Sequence, residues 1–269
     1  MTTGITDTLA SFDTISLADL NEKAAMLERL DNKYIVPADQ LQPALLQFRD
    51  LFDVLEIEGK RAFFYATEYH DNADNQSYRD HHQGRRKRCK VRVRTYLDAG
   101  FSFLEVKLKD IRGATVKKRL KIETTTAELS NEALAFIDQC HTDMYGTPLG
   151  QTLNPVIQMR YSRVTLVAKE GGERMTIDTA LSFRNAACQR RAAPDRFILE
   201  TKSARGNGIA DRILRGQHVH PTKSCSKYCI GMAALGQAHR HNRFLPALRK
   251  LEVFDQPLRQ RGQVTTVAA

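Results

Sequence analysis

The sequence predicts an α+β fold: an antiparallel β-barrel tunnel with a basic lumen and helices packed outside. Three observations carry that expectation. Segments such as "KVRVRTYL" and "FSFLEVKLK" alternate charged and apolar residues with the period of a strand. Lys and Arg dominate the charged side of successive segments, and Gly100 and Gly113 sit in short turns between them, the pattern of a meander. Segments with three- and four-residue apolar spacing flank the strands, so helices are available to cover an apolar face.

Composition narrows the class. The 269 residues suffice for one large domain with a sizeable core, 42% of them are apolar, and the net charge of +10 points to an anionic partner. Cys89, Cys140, Cys188, Cys225 and Cys229 form an odd set with no CxxC pair, which indicates neither a disulfide framework nor a zinc knuckle. No apolar run approaches the ~18 residues of a spanning helix, and the start lacks a basic segment followed by an apolar one. A cytoplasmic protein with reduced thiols is expected, and any membrane link would have to come from a partner protein.

In chain order, residues 1–15 read as a polar leader. Ser16 then caps a helix through "LADLNEKAAML", with Leu17, Leu20 and Ala24 on one face. "ERLDNKYIV" changes to period two, placing Arg29, Asp31 and Lys33 opposite Leu30, Tyr34 and Val36. A helix is expected over "ADQLQPALLQFRDLF", with Pro43 in its first turn. Strands at "FDVLEIE" and "RAFFYATEY" lead into a polar connection ending in the basic run Arg85 to Arg88, read as a solvated loop. After the three meander strands come a helix around "NEALAFIDQC", a hairpin turning at Gly171 and Gly172, and a strand at "RFILETKS". One helical stretch, "SKYCIGMAALGQAHRHNRFLPALRKL", closes a domain spanning 16–251, and residues 252–269 form a polar tail expected to be disordered.

Any single charged strand face is plainly read as facing water. Here Lys90, Arg92 and Arg94 precede Lys107 and Lys109, and then Lys117, Arg119 and Lys121, so gathered cations would repel one another unless an anion neutralised them. Turned inward, they would line a channel suited to a phosphate chain, because Arg forks and Lys point charges bind phosphate oxygens strongly where water is scarce. Replacing Arg92 or Lys107 is then expected to remove activity without unfolding the chain. Glu105, Asp178 and Glu200 lie among these cations, either as internal ion pairs or as hard oxygen ligands for a divalent cation. His81, His82, His218 and His220 occupy polar segments without zinc-type spacing. No glycine-rich phosphate loop occurs.

Taken in order, "RLDNKY", "KVRVRTY", "FLEVKLK", "YSRV", "RMTID", "ILETK" and "SKY" resemble the VTC-type polyphosphate polymerase domain, a branch of the triphosphate tunnel (CYTH-like) superfamily. The resemblance implies a tunnel fold and metal-dependent transfer from ATP, with Mn2+ or Mg2+, to inorganic polyphosphate. It implies phosphate binding by Lys33, Arg92, Arg94, Lys107, Lys109, Tyr161, Arg163, Arg174, Lys202, Ser226 and Lys227, and a metal at Glu200; Glu105 and Asp178 remain, from their place among the cations, possible metal-binding or supporting acids. Three departures stand out. The first strand carries Arg29, Asp31 and Lys33 where the simple hydrolases have two acids before the lysine. "FYAT" has Ala66 in place of an acid, and Lys109 stands where relatives can carry His. The rival expectations are a triphosphatase of the same fold and a non-catalytic polyphosphate sensor. A nucleic-acid binder is disfavoured, since no aromatics interleave with the basic run.

Overall fold

In the computed structural model, which describes residues 3–23, 30–123 and 128–256, the alternating segments pair into one twelve-stranded sheet. Its strands are β1 (Thr14–Ile15), β2 (Leu30–Pro37), β3 (Phe52–Leu55), β4 (Ala62–Asp71), β5 (Cys89–Tyr96), β6 (Phe101–Lys109), β7 (Thr115–Ile122), β8 (Asn154–Ala168), β9 (Arg174–Arg184), β10 (Gln189–Arg191), β11 (Arg196–Ser203) and β12 (Phe254–Gln256). The helices are α1 (Thr3–Ala10), α2 (Leu17–Lys23), α3 (Ala38–Phe48), α4 (Gln76–Gln83), α5 (Asn131–Tyr145), α6 (Ile209–Gly216), α7 (Lys227–Ala234) and α8 (Leu245–Leu251), with a 3-10 turn at Asn242–Phe244. Strands β7, β6, β5, β4, β8 and β9 lie side by side. The first half of β9 continues through β11 to β2, and its second half pairs with β10 and then β12. Neighbours are antiparallel except the short β1–β3 pair.

The expected closed barrel is corrected. Among the described residues no ladder joins β2 to β7, so hydrogen bonds do not close the sheet. The free edge of β2 is met instead by the chain before α7: Thr222 N donates to the Lys33 carbonyl at 2.7 Å, and Ile35 N donates to Thr222 Oγ1 at 3.2 Å.

Strand periodicity sorts the core. On one side of the sheet, Tyr34, Val36, Val164, Leu166, Ile177, Phe197 and Leu199 are buried with α1, α3 and α6. Val91, Val93, Leu104, Val106 and Leu108 are covered by Ala133, Ile137 and Cys140 of α5. The other face changes character along its length. Lys33 is followed on the same face by Ile35, Glu200 is preceded by Ile198, and β8 runs Ile157, Met159 and Tyr161 before Arg163. That apolar half is buried against Tyr228, Ile230 and Met232 of α7 and Ala247 and Leu251 of α8. The helices are therefore not all outside, a second correction: α7 and α8 fill one end of the cation-bearing face because its strands stop being charged there.

The fit under α7 is close. A Cβ on Gly231 would stand 2.7 Å from Ile157 Cδ1 and 2.8 Å from Phe183 Cδ1. Gly231→Ala is expected to cost about 1–3 kcal/mol, as overpacked cores do, and chemical denaturation would measure it. Because α7 begins at Lys227, the same change should weaken anion binding.

Other differences have local causes. Residues 3–10 form α1, whose Ile5 and Leu9 are buried together with Phe12, so the leader is part of the core. Pro43 lies in the second turn of α3, on its exposed side, where water can reach the carbonyl that a missing N–H leaves unpaired. The polar connection contains α4, held by buried Asp71, which accepts from Ser77 N and Tyr78 N, each at 3.0 Å. The helical stretch from 226 to 251 breaks at Gly236, whose φ is +68°. Residues 254–256 pair as β12 instead of belonging to the tail. Ala24, Arg29 and 257–269 lie outside the described residues. All five cysteines are free thiols, and among the described residues no helix is long and apolar enough to cross a membrane.

Candidate functional site

The charged half of the inner face gathers charged side chains from seven strands, β2, β5, β6, β7, β8, β9 and β11, and one helix, α7. On β5, Arg92 and Arg94 are buried and oppose Glu105 and Phe103 of β6. Arg92 grips Glu105 through Nε at 2.7 Å and Nη2 at 2.5 Å, and its Nη1 donates to Tyr69 OH at 3.1 Å. Arg94 and Lys117 approach the same carboxylate at 3.8 and 3.4 Å. Burial would raise the Glu105 pKa, but Arg92, Arg94 and Lys117 hold it well below the usual carboxylate value.

A second knot joins β8, β9 and α7. Arg163 makes a two-pronged bond to fully buried Asp178, Nε to Oδ1 at 2.6 Å and Nη2 to Oδ2 at 2.8 Å, and Lys227 Nζ reaches Oδ2 at 2.5 Å. Arg163 and Lys227 outweigh burial and keep Asp178 ionised. Glu105 and Asp178 are thus internal ion pairs, with their oxygens committed to cations. Beside them Tyr161 stacks on Tyr65 with centroids 5.2 Å apart, and its buried hydroxyl has no hydrogen-bond partner among the described residues.

The third group centres on Glu200. Its carboxylate contacts Lys202 directly and lies 3.9 Å from Lys33, while Lys202 Nζ is 3.7 Å from Asp31 on the neighbouring strand. Burial opposes ionisation, but Lys33, Lys202, Lys227 and Lys107 bring Glu200 well below its usual pKa. Lys107 has no carboxylate within salt-bridge distance among the described residues. Burial lowers its pKa well below the usual value, with Arg92, Lys90 and Arg94 adding to the effect and Glu200 opposing it. Lys90 behaves alike: burial, then Arg92, Lys33 and Arg88, bring its ammonium down to about 8, and Lys90 Nζ donates to Ser226 Oγ at 3.3 Å.

Lys90 predicts a pH effect. Anion affinity carried by Lys90 should fall as pH rises through about 8, where free Lys90 loses its proton. Tripolyphosphate titrations at several pH values would show this, and Lys90→Arg should flatten the profile because guanidinium does not titrate there.

The model of the VTC domain family matches residues 28–236, a span containing all the groups described above. The chain belongs to the VTC domain family. No curated protein matches it. Among solved structures, HpAC1 of Hippeastrum, an adenylyl cyclase candidate with a dominant triphosphatase activity, aligns at 12% identity and TM-score 0.46, over 81% of this chain and 100% of its own. The PH1819 protein of Pyrococcus horikoshii OT3 aligns at 14% identity and TM-score 0.42, over 78% and 100%.

In this VTC domain chain the remaining site residues are placed as follows. Arg174 of β9 stands opposite Lys202. Lys109 turns to the end of its strand and donates to the Gly113 carbonyl at 2.5 Å. Ser226 caps α7, accepting from Cys229 N at 3.4 Å, so its hydroxyl is engaged before any ligand arrives. Arg119 and Lys121 of β7 are exposed, and His218 and His220 are exposed too. Sequence reasoning placed Asp31 and Lys90 on the charged faces without giving either a role of its own, and left Tyr65 and Tyr69 out of the site. The first two share a face with Lys33 and Arg92 in the alternation, and that parity was the available signal.

A resident metal has a limited donor set here. Among the described residues no group of three or more His, Cys, Asp or Glu could hold one. Asp31 and Glu200 flank the single ammonium of Lys202. Two carboxylates fit a hard divalent cation that completes its shell with water and substrate oxygens.

Proposed function

We propose that this VTC domain chain is a polyphosphate polymerase, transferring the terminal phosphoryl group of ATP to a growing inorganic polyphosphate chain with Mn2+ or Mg2+. The coarser assignment, a polyphosphate- or triphosphate-related phosphoryl-transfer function, follows from the family. The observation that carries the finer one is the crowding of the half-buried Lys107 and Lys90 beside Arg94, with no carboxylate within salt-bridge distance of either lysine among the described residues. An anion with several phosphates relieves that crowding.

Phosphoryl transfer needs little covalent participation from protein, so position and charge supply most of the effect. An ionised oxygen of the acceptor chain attacks the terminal phosphorus of ATP, the bond to the bridging oxygen breaks, and ADP leaves with that electron pair. Arg92 and Arg163, held rigid by Glu105 and Asp178, present fixed guanidinium forks. Lys107, Lys90 and Lys33 supply charge to the transferring oxygens where water is scarce. The acceptor needs no general base. A divalent cation at Glu200 and Asp31 would offset charge on the leaving diphosphate.

The test is incubation of the purified chain with ATP and either metal, with and without a short polyphosphate primer, followed by a polyphosphate-staining gel and a free-phosphate assay. A ladder with ADP supports the polymerase. Free phosphate without a ladder selects the triphosphatase, and saturable binding without turnover selects a sensor. In the same assay Glu200→Gln is expected to lose metal-dependent turnover while tripolyphosphate affinity is kept or raised, since one competing carboxylate is neutralised.

A further inference from the structure

Beyond Arg94 the cation-bearing face turns aromatic. Along β5 it runs Arg92, Arg94, Tyr96, and the opposed residues of β6 run Glu105, Phe103, Phe101. Tyr65 stands between Tyr96 and Tyr161 on the adjacent strands. Tyr65 stacks on Tyr161 with planes 5° apart, Tyr96 lies 5.0 Å from Tyr65 edge-on, and Tyr96 stacks on Phe101 at 4.8 Å. Tyr96, Phe101 and Phe103 join none of the four buried clusters and keep partial exposure. At the other end of this face, α7 and α8 cover the apolar residues.

The join between rings and cations is close. The Arg94 and Arg163 guanidiniums lie 5.8 and 5.5 Å from the Tyr65 centroid. Among the described residues, two buried polar atoms at this join have no hydrogen-bond partner, Tyr161 OH and Arg94 Nε. We infer that the aromatic run is a platform on which the base of a nucleoside triphosphate stacks, its phosphates continuing onto Arg94 and Arg163. The inference rests on the proposed use of ATP and adds to it where the nucleoside sits. A ligand with a flat apolar end and a polyanionic end matches this face, because aromatic side chains hold a base by stacking and forked cations hold its phosphates. Inorganic polyphosphate has nothing to place on the rings, so the platform would separate donor from acceptor.

The experiment compares ATP with ribose 5′-triphosphate, which keeps the phosphates and lacks the base, by titration calorimetry on the intact chain. ATP is expected to bind on the order of tenfold more tightly, as stacking on one aromatic provides. Equal affinity would overturn the platform while leaving the phosphate site standing. If neither ligand binds, the proposed function falls and the platform with it. Tyr96→Leu should weaken ATP by a similar factor and leave inorganic tripolyphosphate binding unchanged; a parallel loss of both ligands would show that the rings only brace the sheet.

Discussion

Lys107→Ala is expected to lower turnover at least ~100-fold, the usual consequence of deleting one preorganised charge from a transfer site, while the apo protein melts at the same temperature or higher. The reason is the absence of a carboxylate partner. Lys107 is half-buried, with burial, Arg92, Lys90 and Arg94 acting against its charged form and Glu200 favouring it, so its removal relieves crowding that a bound anion would otherwise offset. Arg92→Ala is expected to behave differently. It too should remove activity, but it strips two contacts from Glu105, whose side chain is 1% exposed, leaving a buried carboxylate to Arg94 and Lys117. The sequence groups Arg92 with Lys107 as replaceable without unfolding; cross-strand pairing separates them. Paired melting curves and turnover assays of the two variants would check this, and a strongly destabilised Lys107→Ala would refute the account.

Asp178→Ala is expected to cost about 3–5 kcal/mol of folding stability, the range for breaking a buried ion pair by removing one partner. Both half-buried cations, Arg163 and Lys227, would lose the carboxylate they contact directly. Urea denaturation would measure the loss, and saturating tripolyphosphate should restore part of it. The same experiment separates the two roles open to this acid in the sequence: a metal ligand would leave metal-free stability nearly unchanged when removed.

What the sequence makes legible follows from the range of the forces involved. Alternation is a local property, so β2, β5, β6, β8, β9 and β11 can be read from neighbours two residues apart, along with the cations they carry. The partners of Glu105 and Asp178 cannot, because they depend on which residue of another strand stands opposite. Arg163 meets Asp178 across a register shift between Arg160 and Ser162, which no periodicity announces. Helix α4 escapes because the carboxylate that accepts from its first turn belongs to Asp71, on the preceding strand, and Tyr78 is its one buried residue among those described. Placing α7 and α8 on the inner face needed one further step, noticing that Lys33 gives way to Ile35 and Glu200 to Ile198 along a single face.

The outermost strand has a consequence unrelated to catalysis. β7 pairs only with β6 among the described residues, so its other side offers unpaired backbone groups to any passing strand. Lys117, Lys118, Arg119 and Lys121 are exposed there, and such charge deters edge-to-edge association between copies. Solubility and ligand attraction therefore draw on the same lysines, and a long polyanion wrapped along β7 would cancel the repulsion that keeps two chains apart.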